Sequence, residues 1–240
     1  MTEAPPPQLL DRQKFWAELD KLTASDEVFT YIPKGKSFEK EVRLGKSVMA
    51  ARRREVIEAI FQRWEVTGGG HPKHLALILG TAYRETCGLL SSAVGEACGC
   101  HATCSKDALN TRYGAKDQCG RAYFGRGFVQ LTHRENYAKV GKLLDLPLAD
   151  YPDLAYDQNV AVTLLVDGVK NRWYAGKPLD RYLSDEKSNW RQGRDSVNPG
   201  SPNKAATGYL SCRFYGAIQV AYATPAPAYP VQDCIKLKNF

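Results

Sequence analysis

No stretch of this 240-residue chain is apolar for long enough to enter a bilayer. The longest charge-free apolar run, residues 75–83, is about half of the roughly 20 residues a spanning helix needs. The first eight residues hold neither a basic n-region nor an apolar h-region, so no cleavable secretory leader is legible and export by another route is expected. A collagen-type glycine period, sustained heptads and internal repeats are absent, and no segment alternates convincingly as a strand. Zinc-finger spacing, a basic zipper and an aromatic RNA-binding signature are missing too, which argues against a nucleic-acid partner.

What remains is an ordinary globular composition, 43% apolar and 25% charged, with enough apolar surface to offset the entropy of folding. The formal charge of +7 draws the chain towards polyanions, anionic wall polymers among them. The densest basic cluster, Arg52-Arg53-Arg54, is followed at once by Glu55 and Glu58 and reads as a solvated helix face.

Seven cysteines are an odd count, and five of them fall between Cys87 and Cys119. Cys98, Cys100, His101, Cys104 and Cys119 offer enough ligands for zinc, but in a spacing uncommon for a finger. Disulfides are the favoured use, so no metal and no cofactor are expected. Cys212 and Cys234 are placed to tie the C-terminal tail to the last helix.

The apolar spacing predicts a mostly α fold. After the flexible lead Ala4-Pro5-Pro6-Pro7, a short helix is expected over residues 11–22, with Phe15, Leu19 and Leu22 on one face. Residues 26–46 are mixed and charged and read as a loop. Residues 1–45 are accordingly taken as an N-terminal extension and 46–240 as the main domain. Further helices are expected over 47–66, from Pro72 to about Glu85, over 157–173 with Asp157 as cap, and over 204–222. Thr132-His133-Arg134-Glu135 reads as a capping box before a helix carrying Tyr137, Val140 and Leu144 inward. Residues 178–182 seed a short helix, and the polar stretch 191–203 is read as a loop. Residues 88–121 look irregular, stapled by their cysteines, and residues 223–240 an extended proline-rich tail.

The second long helix carries the main chemical signal. Leu75, Ile78, Leu79 and Ala82 form its apolar face, and Glu85 projects from the same side near the C-terminus. Poor solvation and the negative end of the helix dipole would both favour a protonated carboxyl there, as a general acid requires. The ordinary alternative is a last-turn Glu twisted out to water. Glu96, between Gly95 and Ala97, is a second exposed carboxylate. The Gly125-x-Gly127 element is no dinucleotide fingerprint, since Gln130 stands at the third position, and it reads as a tight turn.

Ala82-Tyr83-Arg84-Glu85-Thr86, the run from Tyr123 to Thr132 with Gly125-Arg126-Gly127 and Gln130-Leu131-Thr132, and Asn136-Tyr137 together resemble glycoside hydrolase family 19. Tyr151-Pro152-Asp153-Leu154-Ala155 and Val197-Asn198 extend the resemblance over roughly residues 50–220. That family holds chitinases and the chitinase-like endolysins of bacteriophages. The resemblance implies a bilobal, lysozyme-like helical domain with a sugar-binding cleft. It implies Glu85 as general acid and Glu96 as general base, with Tyr123, Gln130, Asn136 and Asn198 lining the substrate cleft.

The chain departs from the family pattern at Arg84, where histidine is usual, and at Pro199, where glycine is usual. The resulting expectation is a monomeric, inverting hydrolase of β-1,4-linked N-acetylhexosamine polymers, acting on the wall in the periplasm or outside the cell. Peptidoglycan is favoured over chitin because of the basic charge and the short Glu85–Glu96 interval. A non-catalytic wall-binding protein is the alternative from another class.

Overall fold

A computed structural model describes residues 9–25, 27–33, 35–93, 121–174, 176–222 and 234. The fold is mostly α. Helix α1 is Arg12–Ala24, started by Asp11, whose carboxylate accepts from the Lys14 N–H at 3.0 Å. Helices α2 (Ala51–Val66) and α3 (Pro72–Glu85) follow, then α4 (Arg134–Leu144), α5 (Gln158–Lys170), the short α6 (Trp190–Gly193) and α7 (Lys204–Ala221).

Helix α3 is the axis of the molecule. Every residue from Lys73 to Tyr83 is buried, so the helix has no solvent face along most of its length. It crosses α7 at very short range: a Cβ placed on Gly80 would lie 2.2 Å from Ser211 Oγ and 2.7 Å from the Ser211 nitrogen. Only glycine permits that approach, and the approach fixes where the far end of α3 emerges.

The segment expected as an extension contributes Phe15, Leu19, Phe29 and Tyr31 to the core. Residues 26–46 hold a β-hairpin rather than the expected loop, β1 (Val28–Tyr31) pairing antiparallel with β2 (Lys40–Arg43). Phe29 stacks on Tyr209 of α7 with ring centroids 4.9 Å apart. Buried Arg213 reaches back from α7 to the Glu27 carboxylate, the Leu22 carbonyl and Ser25 Oγ.

Two helix starts differ from expectation. Residues Lys46–Met49 form a 3-10 turn, and extended backbone at Ala50 separates it from α2. The expected capping box does not form: Gln130 and His133 both take positive φ, 55° and 70°, which places Thr132 two residues ahead of α4. Thr132 Oγ1 donates instead to the Gln130 carbonyl at 2.8 Å. The 157–173 expectation holds as α5, with the Asp157 carboxylate accepting from the Asn159 and Val160 N–H groups. The expected tether is present as a Cys212–Cys234 disulfide, and Cys87 is disulfide-bonded as well.

Candidate active site

Glu85 is the last residue of α3, and its side chain keeps 18% exposure while the helix behind it is buried. The turn beyond it is tight. Thr86 Oγ1 donates to the Ala82 carbonyl at 2.7 Å and accepts from the Leu90 N–H at 3.0 Å, while Cys87 and Gly88 take positive φ. The carboxylate is therefore set on a rigid support and faces partly into water.

Its partner is a residue the sequence reading passed over. Arg194 donates through Nη2 to Glu85 Oε1, and Arg194 is only 2% exposed. The expected loop over 191–203 begins as helix α6 and a 3-10 turn, Arg194–Ser196, packed on α7 at Gly208. A Cβ on Gly208 would meet the Arg191 backbone nitrogen at 2.9 Å. This close packing delivers the guanidinium to the end of α3. Nε and Nη1 of Arg194 have no hydrogen-bond partner among the described residues, so two buried donors remain beside the carboxylate.

Arg84, next in sequence to Glu85, points elsewhere. Its Nη2 donates to Asn203 Oδ1 at 3.0 Å and approaches the Tyr31 hydroxyl at 3.4 Å. The Tyr31 hydroxyl in turn lies 3.5 Å from Asn203 Oδ1. Adjacent helical residues diverge by about 100°, which is why neighbours in sequence serve different partners here.

Asn198 stands on the same turn as Arg194: its N–H donates to the Arg194 carbonyl at 2.9 Å, and its side chain is exposed. Asp195 holds this loop, accepting from Lys204 Nζ at 2.6 Å and from the Gly200 N–H at 3.1 Å. Arg194 thus links the two residues, its guanidinium meeting Glu85 and its backbone carbonyl the Asn198 N–H.

Tyr123, Gln130 and Asn136 form a second group around the Gly125-Arg126-Gly127 turn. Arg126, 3% exposed, donates to the Ala122 and Phe124 carbonyls, to Asp153 and to the Tyr137 hydroxyl. Gly127 has φ 70°, and a Cβ there would meet the Ala155 carbonyl oxygen at 2.8 Å. Gln130 Nε2 donates to the Gly127 carbonyl at 2.8 Å, and Asn136 Nδ2 to the Thr132 carbonyl at 2.8 Å. Tyr123 is 8% exposed, packs edge-on against Tyr137, and donates its hydroxyl to the Ala149 carbonyl at 2.7 Å. Its ring is mostly core, whereas Gln130 and Asn136 are half-buried.

Glu96 lies outside the described residues, as do Cys98, Cys100, His101, Cys104 and Cys119. Among the described residues there is no cluster of His, Cys, Asp or Glu suited to a metal. No described helix is long and apolar enough to cross a membrane.

No protein-family model matches the chain. Among solved structures it is similar to chitinase C from Streptomyces griseus HUT6037, with TM-score 0.46 and 14% identity over 81% of this chain and 86% of that one. A mutant of chitinase C overlaps with TM-score 0.44 and 16% identity over 88% of this chain and 93% of the other. A bacterial family 19 chitinase overlaps with TM-score 0.43 and 19% identity over 88% and 97%.

Proposed function

We propose that the chain is an inverting glycoside hydrolase of β-1,4-linked N-acetylhexosamine polymers, with peptidoglycan favoured over chitin. The observation that carries this is the setting of Glu85: a partly exposed carboxylate at the end of a helix buried from Lys73 to Tyr83, held by a buried arginine. It lies within a run of residues that resembles the catalytic segment of family 19. In this reading Glu85 protonates the leaving glycosidic oxygen and Glu96 activates water on the opposite face of the sugar. Inversion requires the two carboxyl groups to stand about 6.5–9.5 Å apart, leaving room for that water. Asn198, Gln130 and Asn136 supply amides that both donate to and accept from acetamido and hydroxyl groups. The disulfides favour an oxidising compartment as the place of action.

The ion pair also gives the second reading its support. Acid catalysis requires Glu85 to carry a proton while Arg194 still positions it, so the pair must loosen without being lost when substrate binds. A pair that stays closed leaves a wall-binding protein with a cleft and no chemistry. Reducing ends released from purified peptidoglycan and from colloidal chitin separate the two, with Glu85→Gln and Glu96→Gln run beside the native chain. The hydrolase reading expects cleavage of one polymer by the native protein and none by the two folded variants. Retention of the polymer without cleavage by the native protein would establish the binder.

A further inference from the structure

The β-hairpin is the part of the fold that the function proposed above leaves unused, yet it stands one residue from Glu85. Tyr31, at the end of β1, shares Asn203 Oδ1 with Arg84, and the Gly45 N–H beyond β2 donates to the Tyr83 hydroxyl at 3.3 Å. Both ends of the hairpin are therefore fastened to the last turn of α3. Opposed residues of an antiparallel pair share a face, so Lys40, opposite Tyr31, continues the Tyr31 face outwards. The Lys40 ammonium lies 5.8 Å from the centre of the Phe38 ring, and that ring is 51% exposed.

An exposed aromatic ring beside a cation, continuous with a buried tyrosine that meets Arg84 and Asn203 at the end of α3, has a definite chemistry. The ring offers a flat apolar surface for the face of a sugar, and the ammonium offers a partner for a carboxylate. Residues 32–46 carry Lys34, Lys36, Lys40, Arg43 and Lys46 against Glu39 and Glu41, a local excess of positive charge. A neutral polymer has no use for that excess. The tip exposes Ile32 as well as Phe38, but acidic Glu39 follows directly on Phe38, a charge that an anionic membrane surface repels.

We propose that the Tyr31–Lys40–Phe38 face of the hairpin is an extension of the glycan cleft that binds a carboxylate-bearing sugar strand. The inference rests on the hydrolase reading for its choice of ligand, but its test needs no catalysis. Phe38→Ala and Lys40→Gln are made singly and together in the Glu85→Gln background, where bound polymer cannot be cut. Phe38 and Lys40 are exposed and Glu85 is half-buried at the helix end, and circular dichroism checks the fold. Binding is measured by co-sedimentation with purified peptidoglycan, with colloidal chitin and with anionic phospholipid vesicles, each at low and high salt.

The expected result is peptidoglycan binding about tenfold weaker in the double variant than in Glu85→Gln alone. Lys40→Gln reduces the part of binding that salt screens, and Phe38→Ala weakens binding at either salt concentration. Equal binding by all four proteins overturns the inference, as does equal loss on peptidoglycan and neutral chitin for Lys40→Gln. Hairpin-dependent binding to vesicles with none to peptidoglycan also overturns it, and would assign the face to a membrane surface. Hairpin-dependent peptidoglycan binding by a native protein that cleaves nothing upholds the inference while removing the hydrolase reading.

Discussion

The Glu85 carboxylate is paired with Arg194, 109 residues further along the chain, and not with its neighbour Arg84. Replacing Arg194 by Met keeps most of the side-chain volume and removes the cation. Loss of one partner of a fully buried pair costs roughly 3–5 kcal/mol; with Glu85 still partly wet, about 2 kcal/mol is expected. Hydrolysis should fall roughly 100-fold as the carboxylate loses its alignment. Urea denaturation and steady-state rates check both numbers, and Arg194→Lys should recover part of the rate. Unchanged rates in Arg194→Met would show that the pair plays no part in positioning Glu85.

The crossing of α3 and α7 leaves no room for a methyl group at Gly80. Gly80→Ala is expected to destabilise the protein by about 2–3 kcal/mol, since Ser211 Oγ and backbone both stand in the way. Trimming the partner as well, in Gly80→Ala with Ser211→Ala, should recover little, because the Ser211 nitrogen and Cα remain within 2.8 Å. Denaturation midpoints of the single and double variants decide this. Full recovery in the double variant would mean that the hydroxyl alone sets the limit.

His74 links stability to pH. It is buried in the first turn of α3, with Nε2 2.8 Å from the Leu183 carbonyl and 3.2 Å from Asp180. Burial is the largest influence and lowers its pKa below the ordinary 6.5, against the raising effects of the Leu183 carbonyl and Asp180. His71 and Lys170 lower it further. The folded state then binds fewer protons than the unfolded chain. The contribution is fully present above about pH 6.5 and is lost as pH falls from there through the lowered value. The denaturation midpoint should drop between pH 7.5 and pH 5, and His74→Gln should flatten part of that slope. Parallel pH curves for the two proteins would contradict the assignment.

The Cys212–Cys234 bond closes a 22-residue separation. Loop closure of that length contributes about 3 kcal/mol, so the double Ser variant should lose a comparable amount in the absence of reductant. Using the variant avoids reducing Cys87, which is also disulfide-bonded. An unchanged midpoint would show that the tail adds nothing to the stability of α7.

How far the sequence revealed the fold depended on period and length. Helices α3, α5 and α7 were legible because apolar residues recur along them at helical spacing for three turns or more. The hairpin was not: its strands are four residues long, only Phe29 and Tyr31 turn inward, and charges surround them. Thr132 carried the right residue types for a cap, but two left-handed residues beside it changed the path of the chain. In the candidate site, Glu85 was visible from the helix it ends. Arg194 was hidden because a single buried cation in a stretch of Pro, Gly and Asn leaves no periodic mark. Trp190, four residues earlier, and Val197, three residues later, were the apolar signals that the stretch turns inward.

Proton NMR of a soluble, uncross-linked peptidoglycan glycan strand during its hydrolysis tests the central claim most directly. An inverting enzyme that uses Glu85 as its acid releases the α-anomer first from a β-linked substrate, and Glu85→Gln releases no product on the same time scale. First appearance of the β-anomer, or a Glu85→Gln rate equal to that of the native protein, would contradict the account.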